Sequence, residues 1–285
     1  MRTSTAEPSA RPGDPALAER YRHALRSAAA DPRPTTATAD CTLLMVRGLF
    51  GGWIPNHFRA PLRHFGLLGW QVGVGRTRAT GTLAQNAAAL GVQIDQLIAA
   101  GRRPIFLAHS KGGLEVLLAL AHSPARARAT AGLIGVQVPR GGAPYLEHLF
   151  GSAEYRDRDL PLRPVEHVEA TLLGALGARA ACAELNTPNL SAMAERLDAV
   201  VRTVPSLMVA TSAQRMSSVL ELRSRHLEHA YPGQAHDGVF LSTDQIWTAA
   251  RMLQLDGIDH AQPSVGGLGF AHQHFWAALL ATLLD

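Results

Sequence analysis

The residues best suited to chemistry surround Ser110, in the sequence AHSKGG. A serine hydroxyl can become a nucleophile where a buried strand turns sharply into a helix and the side chain enters a cleft. The apolar run 104–108 precedes Ser110 and the apolar run 114–122 follows it, so the sequence predicts a strand, a turn and a helix. Ala108 and Gly112 are small, as a close approach of strand and helix requires. The pattern predicts a nucleophilic Ser110, and the alternative is an ordinary strand–helix turn.

A serine nucleophile needs a base within hydrogen-bond reach, and a carboxylate that orients the base. After a strand–turn–helix serine, the acid comes before the histidine along the chain. Asp237 and His260 fit this order best, since each lies in a predicted loop with a glycine nearby. The chain has 13 histidines, and His272 and His274 in the predicted last helix are the alternatives for the base. The alternatives for the acid are Asp244, Asp256 and Asp259.

Acyl transfer also requires backbone N–H groups that stabilise an oxyanion. We expect one from Lys111, at the start of the predicted helix, and one from Leu49, with Phe50 as second choice. The glycines around Leu49 allow its loop to bend towards the site, and a simple tight turn is the alternative. Asp259 is interpreted as a surface residue. The Lys111 side chain is expected to face solvent, with attraction of an anionic substrate group as the alternative.

Candidates for a substrate pocket are His109, which adjoins Ser110, and four residues after the first predicted strand: Phe50, Trp53, Ile54 and Phe58. Plain core packing is the alternative for these four residues. His109 is excluded as the base because its neighbour position should turn it away from the Ser110 hydroxyl.

Five apolar runs predict the strands that position these residues: 41–46, 70–74, 104–108, 131–138 and 206–210. Predicted helices alternate with them, and nearly uniform apolar strands are typical of a parallel sheet covered on both faces. The fold class is therefore α/β. Residues 139–201 show no strand pattern, and we expect a helical insertion at about 145–201 to act as a lid. Helices that only support the sheet are the alternative.

The composition excludes several classes of protein. The 285 residues have 47% hydrophobic and 18% charged residues and a net charge of +4, typical of a soluble enzyme. The basic stretches are short, so no nucleic-acid partner is expected. No run of eighteen apolar residues predicts a membrane span. Residues 1–40 form a predicted extension, disordered to about residue 13 and then a short helix, and residues 41–285 form one domain. The extension lacks a secretory-signal pattern, so a cytoplasmic protein is expected.

Four segments together resemble the bacterial true-lipase family of triacylglycerol lipases, within the α/β-hydrolase superfamily. RGL at 47–49 stands where that family has His-Gly-Leu, and AHSKGG contains the serine. VPRGGAP at 138–144 and HDGV at 236–239 resemble two further family segments. The resemblance covers about residues 41–261, and the 23-residue step from Asp237 to His260 also fits it. It implies an α/β-hydrolase fold with a mobile helical lid and hydrolysis of carboxylic esters by a Ser-His-Asp triad.

The chain departs from that family at two positions. Arg47 replaces a histidine beside the oxyanion loop, and Gln262 replaces an aspartate that holds a structural calcium. We therefore expect no metal and no cofactor. The expected substrate is a small-molecule, lipid or polyester ester. Alternatives are a thioesterase, an acyltransferase or an intracellular polyester depolymerase with the same triad, and a ligand-binding protein without catalysis. The oligomeric state stays open.

Overall fold

The computed structural model describes residues 9–10, 14–26, 32–151 and 163–285. The described strands are β1 (Ser9–Ala10), β2 (Cys41–Val46), β3 (Gln71–Val74), β4 (Arg103–His109), β5 (Gly132–Val136), β6 (Ser206–Ser212) and β7 (Arg251–Asp256). Six of them form a parallel sheet in the order β3-β2-β4-β5-β6-β7, and β1 pairs with β7 as an antiparallel seventh strand. The predicted α/β class with a mostly parallel sheet is confirmed.

The apolar strands bury both faces because their side chains alternate between two separate layers of core. In β2, Leu44 and Val46 belong to one layer, whereas Leu43 and Met45 belong to the other. Strand β7 was not predicted, since its sequence RMLQLD mixes charged and apolar residues. Only two of its six residues are buried, which agrees with its place near the edge of the sheet.

Helices cover both faces of the sheet. The described helices are α1 (Pro15–Arg26), α2 (Arg59–Leu67), α3 (Leu83–Ala99), α4 (Lys111–Ala121), α5 (Pro124–Ala129), α6 (Pro144–Phe150), α7 (Pro164–Ala175), α8 (Arg179–Ala183), α9 (Thr187–Thr203), α10 (Glu221–Ala230), α11 (Gln262–Val265) and α12 (His272–Leu284). Helices α3, α4 and α9 contribute to the core layer of Leu44, and α1, α2 and α12 to the core layer of Leu43. None of the described helices has the length and apolar character needed to cross a membrane.

The segment between β5 and β6 is helical where the structure describes it, with α6 to α9 and no strand. Helix α9 packs against α4 and adds Leu190 and Leu197 to the core. Glu184, which follows α8, accepts a hydrogen bond from the Leu83 N–H at 2.6 Å. The last part of this insertion therefore belongs to the helical layer of the sheet.

The N-terminal extension contains α1, where a helix was predicted. Asp14 caps it, since its Oδ1 accepts hydrogen bonds from the N–H groups of Ala16 (2.9 Å) and Leu17 (3.2 Å). The disorder predicted for residues 1–13 falls outside the described residues, apart from Ser9–Ala10 in β1. Cys41 and Cys182 are buried free thiols.

Candidate active site

Ser110 is the single residue between β4 and α4, at the carboxyl edge of the sheet. Its φ of 57° and ψ of −135° are rare for a residue other than glycine, and such a conformation costs about 1–3 kcal/mol. Hydrogen bonds hold it on both sides. The Ser110 N–H donates to the Val136 carbonyl at 2.9 Å, and the Ser110 carbonyl accepts from the Gly113 N–H at 3.0 Å. The sharp turn expected from the sequence is present.

Two glycines allow the backbone to approach this turn closely. A Cβ atom at Gly112 would lie 2.5 Å from the Arg47 carbonyl oxygen, where no side chain fits. A Cβ atom at Gly48 would lie 2.8 Å from the Ser110 Cβ and 3.2 Å from its Oγ. The loop after β2 is therefore in direct contact with the serine, as its glycines suggested.

A chain of two hydrogen bonds joins Ser110, His260 and Asp237. His260 Nε2 lies 3.1 Å from Ser110 Oγ, and His260 Nδ1 lies 2.9 Å from Asp237 Oδ2. Asp237 is fully buried, and its Oδ1 accepts hydrogen bonds from the N–H groups of Val239 and Phe240, both at 2.8 Å. The contact with Ser110 thus comes from His260 and not from the alternatives in α12. The arrangement can carry a proton away from the serine hydroxyl.

His109 and Gln137 form hydrogen bonds with the backbone next to the His260 side chain. His109 Nε2 lies 2.8 Å from Gln137 Oε1 and 3.0 Å from the His260 carbonyl oxygen, and both atoms are acceptors. The His109 ring therefore carries its proton on Nε2, and burial holds the pKa of this histidine well below its usual value. Gln137 in turn donates to Thr211 Oγ1 (2.6 Å) and to the Asp259 carbonyl (3.0 Å). His109 thus fixes the main chain that carries His260.

Asp259 lies beside His260 but is fully buried, so its interpretation as a surface residue was wrong. Its Oδ2 accepts hydrogen bonds from the N–H and the hydroxyl of Ser217, both at 2.6 Å. Its Oδ1 accepts from the N–H groups of Ala261 and Gln262, both at 2.9 Å. The carboxylate shapes the turn that carries His260, and it has no contact with the imidazole.

The Lys111 side chain was expected to face solvent, and this was also wrong. It is almost completely buried, forms an ion pair with Glu115, and donates a hydrogen bond to the Gly81 carbonyl at 2.7 Å. Glu115 also accepts a hydrogen bond from Asn86 Nδ2 at 2.7 Å. The lysine therefore binds α4 to the loop before α3.

Leu49 and Phe50, the two loop residues considered as oxyanion donors, differ in whether the backbone N–H already donates a hydrogen bond. The Phe50 N–H donates to the Ala79 carbonyl at 2.9 Å, so it is already occupied. The N–H groups of Leu49 and Lys111 have no acceptor among the described residues. Leu49 is accordingly the better candidate of the two loop residues.

Two of the pocket candidates, Phe50 and Trp53, lie together in this loop. The rings of Phe50 and Trp53 are stacked, with centroids 5.7 Å apart, and Trp53 is 50% exposed. Phe58, further along, is fully buried and packs edge-on against Trp276. Trp53 thus offers an open apolar surface, whereas Phe58 belongs to the core.

No protein-family model and no curated protein sequence matches the chain. Among solved structures, it is similar to the metagenomic carboxyl esterase MGS0156, with a TM-score of 0.66 and 20% identity over 88% of this chain and 77% of the other. It is also similar to the mature lipase BlEst2 of Bacillus licheniformis, with a TM-score of 0.62 and 17% identity over 85% and 93% of the two chains. The chain has the α/β-hydrolase fold.

A third α/β-hydrolase neighbour is the phospholipase PlaB from Legionella pneumophila, with a TM-score of 0.55 and 14% identity. The match covers 86% of this chain and 60% of PlaB. At these sequence identities, the similarity shows that the proteins share a fold. In an α/β-hydrolase the residue order is serine, acid, histidine, and here Ser110, Asp237 and His260 follow β4, β6 and β7 in that order.

The sequence did not reveal all the residues that shape this candidate site. Gln137 is fully buried directly after β5, and the only signal was a polar residue at the end of an apolar strand. His57 is also buried near the site, and burial, aided by Arg47 and His260, lowers the pKa of His57 to about 3. Gln262 accepts a hydrogen bond from the Asp259 N–H at 2.8 Å.

Proposed function

We propose that the chain is a serine hydrolase that cleaves carboxylic esters through an acyl-enzyme. The observation that carries this proposal is the pair of hydrogen bonds from Ser110 through His260 to Asp237, 3.1 Å and 2.9 Å long, on a strained strand–helix turn. Strain of this kind persists only where the surrounding structure holds it, and it is common at active sites.

In the proposed reaction, Ser110 Oγ attacks the ester carbonyl carbon while His260 Nε2 takes the hydroxyl proton. Asp237 Oδ2 accepts the Nδ1–H, which fixes the imidazole orientation and stabilises the imidazolium. The tetrahedral intermediate collapses, and His260 donates its proton to the leaving alcohol. Water then attacks the acyl carbonyl carbon while His260 Nε2 takes a water proton. The bond from the acyl carbon to Ser110 Oγ breaks, His260 returns the proton to Oγ, and the carboxylic acid product leaves.

The oxyanion of the tetrahedral intermediate would accept hydrogen bonds from the N–H groups of Leu49 and Lys111. Both groups lack an acceptor among the described residues, and Lys111 begins α4. The partial positive charge at the N-terminus of a helix adds to the stabilisation of an anion there.

Esters with an apolar acyl group are the proposed substrates. Phe50 and Trp53 present stacked rings on the loop next to Leu49, which suits an acyl chain better than a charged one. The neighbours in fold are named as a carboxyl esterase, a lipase and a phospholipase, which supports the same class of bond.

The insertion after β5 would supply a lid over this site. Helices α6, α7 and α8 are its proposed movable part, because α9 is packed on α4. Helix α7 exposes Val165, Val168 and Leu172, which recur at helical spacing on one face. Such a face is available to contact a substrate or to close over the cleft.

Covalent labelling tests the proposal directly. A fluorophosphonate should add once to the wild type and to Ser191→Ala, a control at an exposed serine of α9, but not to Ser110→Ala. Hydrolysis of p-nitrophenyl esters from acetyl to palmitoyl should fall by at least about 10³-fold in Ser110→Ala. Label on another residue, or full turnover by Ser110→Ala, would overturn the proposal. Added alcohol acceptors show in the same assay whether the acyl group passes to water or to an alcohol.

A further inference from the structure

Three helices outside the sheet bring a second group of reactive side chains together, and the proposed hydrolysis does not use it. His148 comes from α6, Glu166 from α7 and His226 from α10. They are only 8%, 1% and 7% exposed. Among the described histidine, cysteine and acidic residues, these three bring their possible ligand atoms together, all within 4.8 Å of one another.

The distances in this group are close to those of a metal site. His148 Nε2 lies 3.3 Å from Glu166 Oε2, and His226 Nδ1 lies 3.7 Å from Glu166 Oε1. Ligand atoms about 2.0–2.2 Å from a tetrahedral Zn²⁺ are about 3.3 Å from each other. Both pairs therefore need little movement to hold one ion. The imidazole rings lie side by side, with centroids 4.2 Å apart and planes tilted by 37°.

The types of ligand atom in this group also indicate which kind of ion it would bind. Two imidazole nitrogens and one carboxylate oxygen are the ligand set of many zinc sites, and water takes the fourth position. Imidazole is a poor ligand for Ca²⁺ and Mg²⁺, which prefer oxygen. The group therefore suits a divalent transition metal.

Arg163 orients the carboxylate from outside. Its backbone N–H donates to Glu166 Oε2 at 2.7 Å, and its guanidinium donates to Oε1 at 2.7 and 3.0 Å. Hydrogen-bonded support of a carboxylate ligand is common around metals. The Arg163 side chain is 47% exposed, so its guanidinium can move into solvent when a cation approaches.

We propose that His148, Glu166 and His226 form a binding site for Zn²⁺ or a similar transition-metal ion. The ion would join α6 and α7, in the insertion between β5 and β6, to α10, which follows β6. It would thereby stabilise the arrangement of these helices and restrict movement of the proposed lid. The metal site itself does not depend on the proposed ester hydrolysis.

Metal binding by the full chain tests the site without any activity assay. The protein, free of a histidine tag and treated with chelator, is titrated with Co²⁺ and Zn²⁺. We expect one ion per chain, visible absorption of tetrahedral Co²⁺, and a higher Tm with Zn²⁺. The double variant His148→Gln/His226→Gln should bind at least about 100-fold more weakly. The control His167→Gln/His229→Gln changes exposed histidines on α7 and α10 and should bind as the wild type does.

Crystals of the wild type grown with one equivalent of Zn²⁺ decide the matter even if the double variant fails to fold. An anomalous peak between His148, Glu166 and His226 is the expected result. A peak elsewhere, for example at the neighbouring rings of His64 and His274, would overturn the proposal. So would a wild type that binds neither ion.

Discussion

Lys111 and Glu115 form an ion pair within α4 whose side chains are only 1% and 2% exposed. The pair begins at the residue directly after Ser110, so it lies beneath the proposed active site. Lys111 also donates to the Gly81 carbonyl, and Glu115 accepts from Asn86, so the pair connects α4 with α3 and the loop before it. Burial raises the pKa of the Glu115 carboxyl.

Removing one member of this ion pair should lower the free energy of unfolding more than removing both members. Lys111→Met leaves a buried carboxylate without its cation, and we expect a loss of about 3–5 kcal/mol in the free energy of unfolding at pH 8. The double variant Lys111→Met/Glu115→Leu should recover most of it. Urea denaturation measures both. Arg225→Met breaks an exposed pair of the same spacing with Glu221 and should change stability by less than about 1 kcal/mol.

The pH dependence of Lys111→Met follows from the same pair. Without the lysine, the Glu115 pKa rises further above its value in the unfolded chain. The carboxyl is then protonated in both states below about pH 4, and the unfolded state loses its proton first as the pH rises. The penalty of the variant should therefore be small at pH 4 and grow towards pH 8. An equal penalty at both values would contradict this origin.

Asp237 and Asp259 should differ sharply when each is changed to asparagine. Asp237→Asn removes the carboxylate beside His260 Nδ1, and we expect kcat to fall by about 10³- to 10⁴-fold. Asp259 instead accepts hydrogen bonds from Ser217, Ala261 and Gln262. Asp259→Asn should lower the free energy of unfolding by about 1–3 kcal/mol and change kcat by less than about 10-fold. Equal losses of kcat would show that Asp237 is not the acid.

The parts of this molecule that the sequence predicts are those set by local pattern. The turn at Ser110 needs an apolar run, small neighbours and a following helix, and all of these are visible within about twenty residues. Burial of a polar side chain is different, because it depends on partners far along the chain. Asp259 is buried by its contact with Ser217, and no spacing motif links the two.

The same reason explains the other surprises. Strand β7 was missed because Arg251, Gln254 and Asp256 interrupt its apolar pattern, yet pairing with β6 makes it a strand. The group of His148, Glu166 and His226 spans three helices, so it has none of the short ligand spacings by which metal motifs are found.

Gly48 should tolerate no side chain, whereas Gly52 should. An alanine Cβ at Gly48 would lie 3.2 Å from Ser110 Oγ, so Gly48→Ala should displace the serine or the loop. A displacement of about 1 Å at a reacting group lowers kcat/KM by about 10²-fold. At Gly52 the added Cβ meets only Ala79 Cβ, at 3.5 Å, which is an ordinary contact. Ester hydrolysis and Tm of both variants test the close approach, and an active Gly48→Ala enzyme would disprove it.

Asp244, an alternative for the acid, should affect stability and not catalysis. Burial, together with the negative charges of Glu147 and Asp237, raises the pKa of Asp244 to about 6, and its Oδ2 has no hydrogen-bond partner among the described residues. When the pKa of a carboxyl is higher in the folded chain than in the unfolded chain, the free energy of unfolding falls as the pH rises from about 4 to about 6. The reason is that the unfolded chain releases the proton first. Two units of pKa correspond to about 3 kcal/mol at most, and partial solvent access reduces this.

Asp244→Asn should therefore equal the wild type in stability at pH 4, exceed it by about 1–2 kcal/mol at pH 8, and keep its kcat. Denaturation at both pH values checks the sign, and a variant that is less stable at pH 8 would mean that the Asp244 carboxylate is stabilised by a partner in the folded chain.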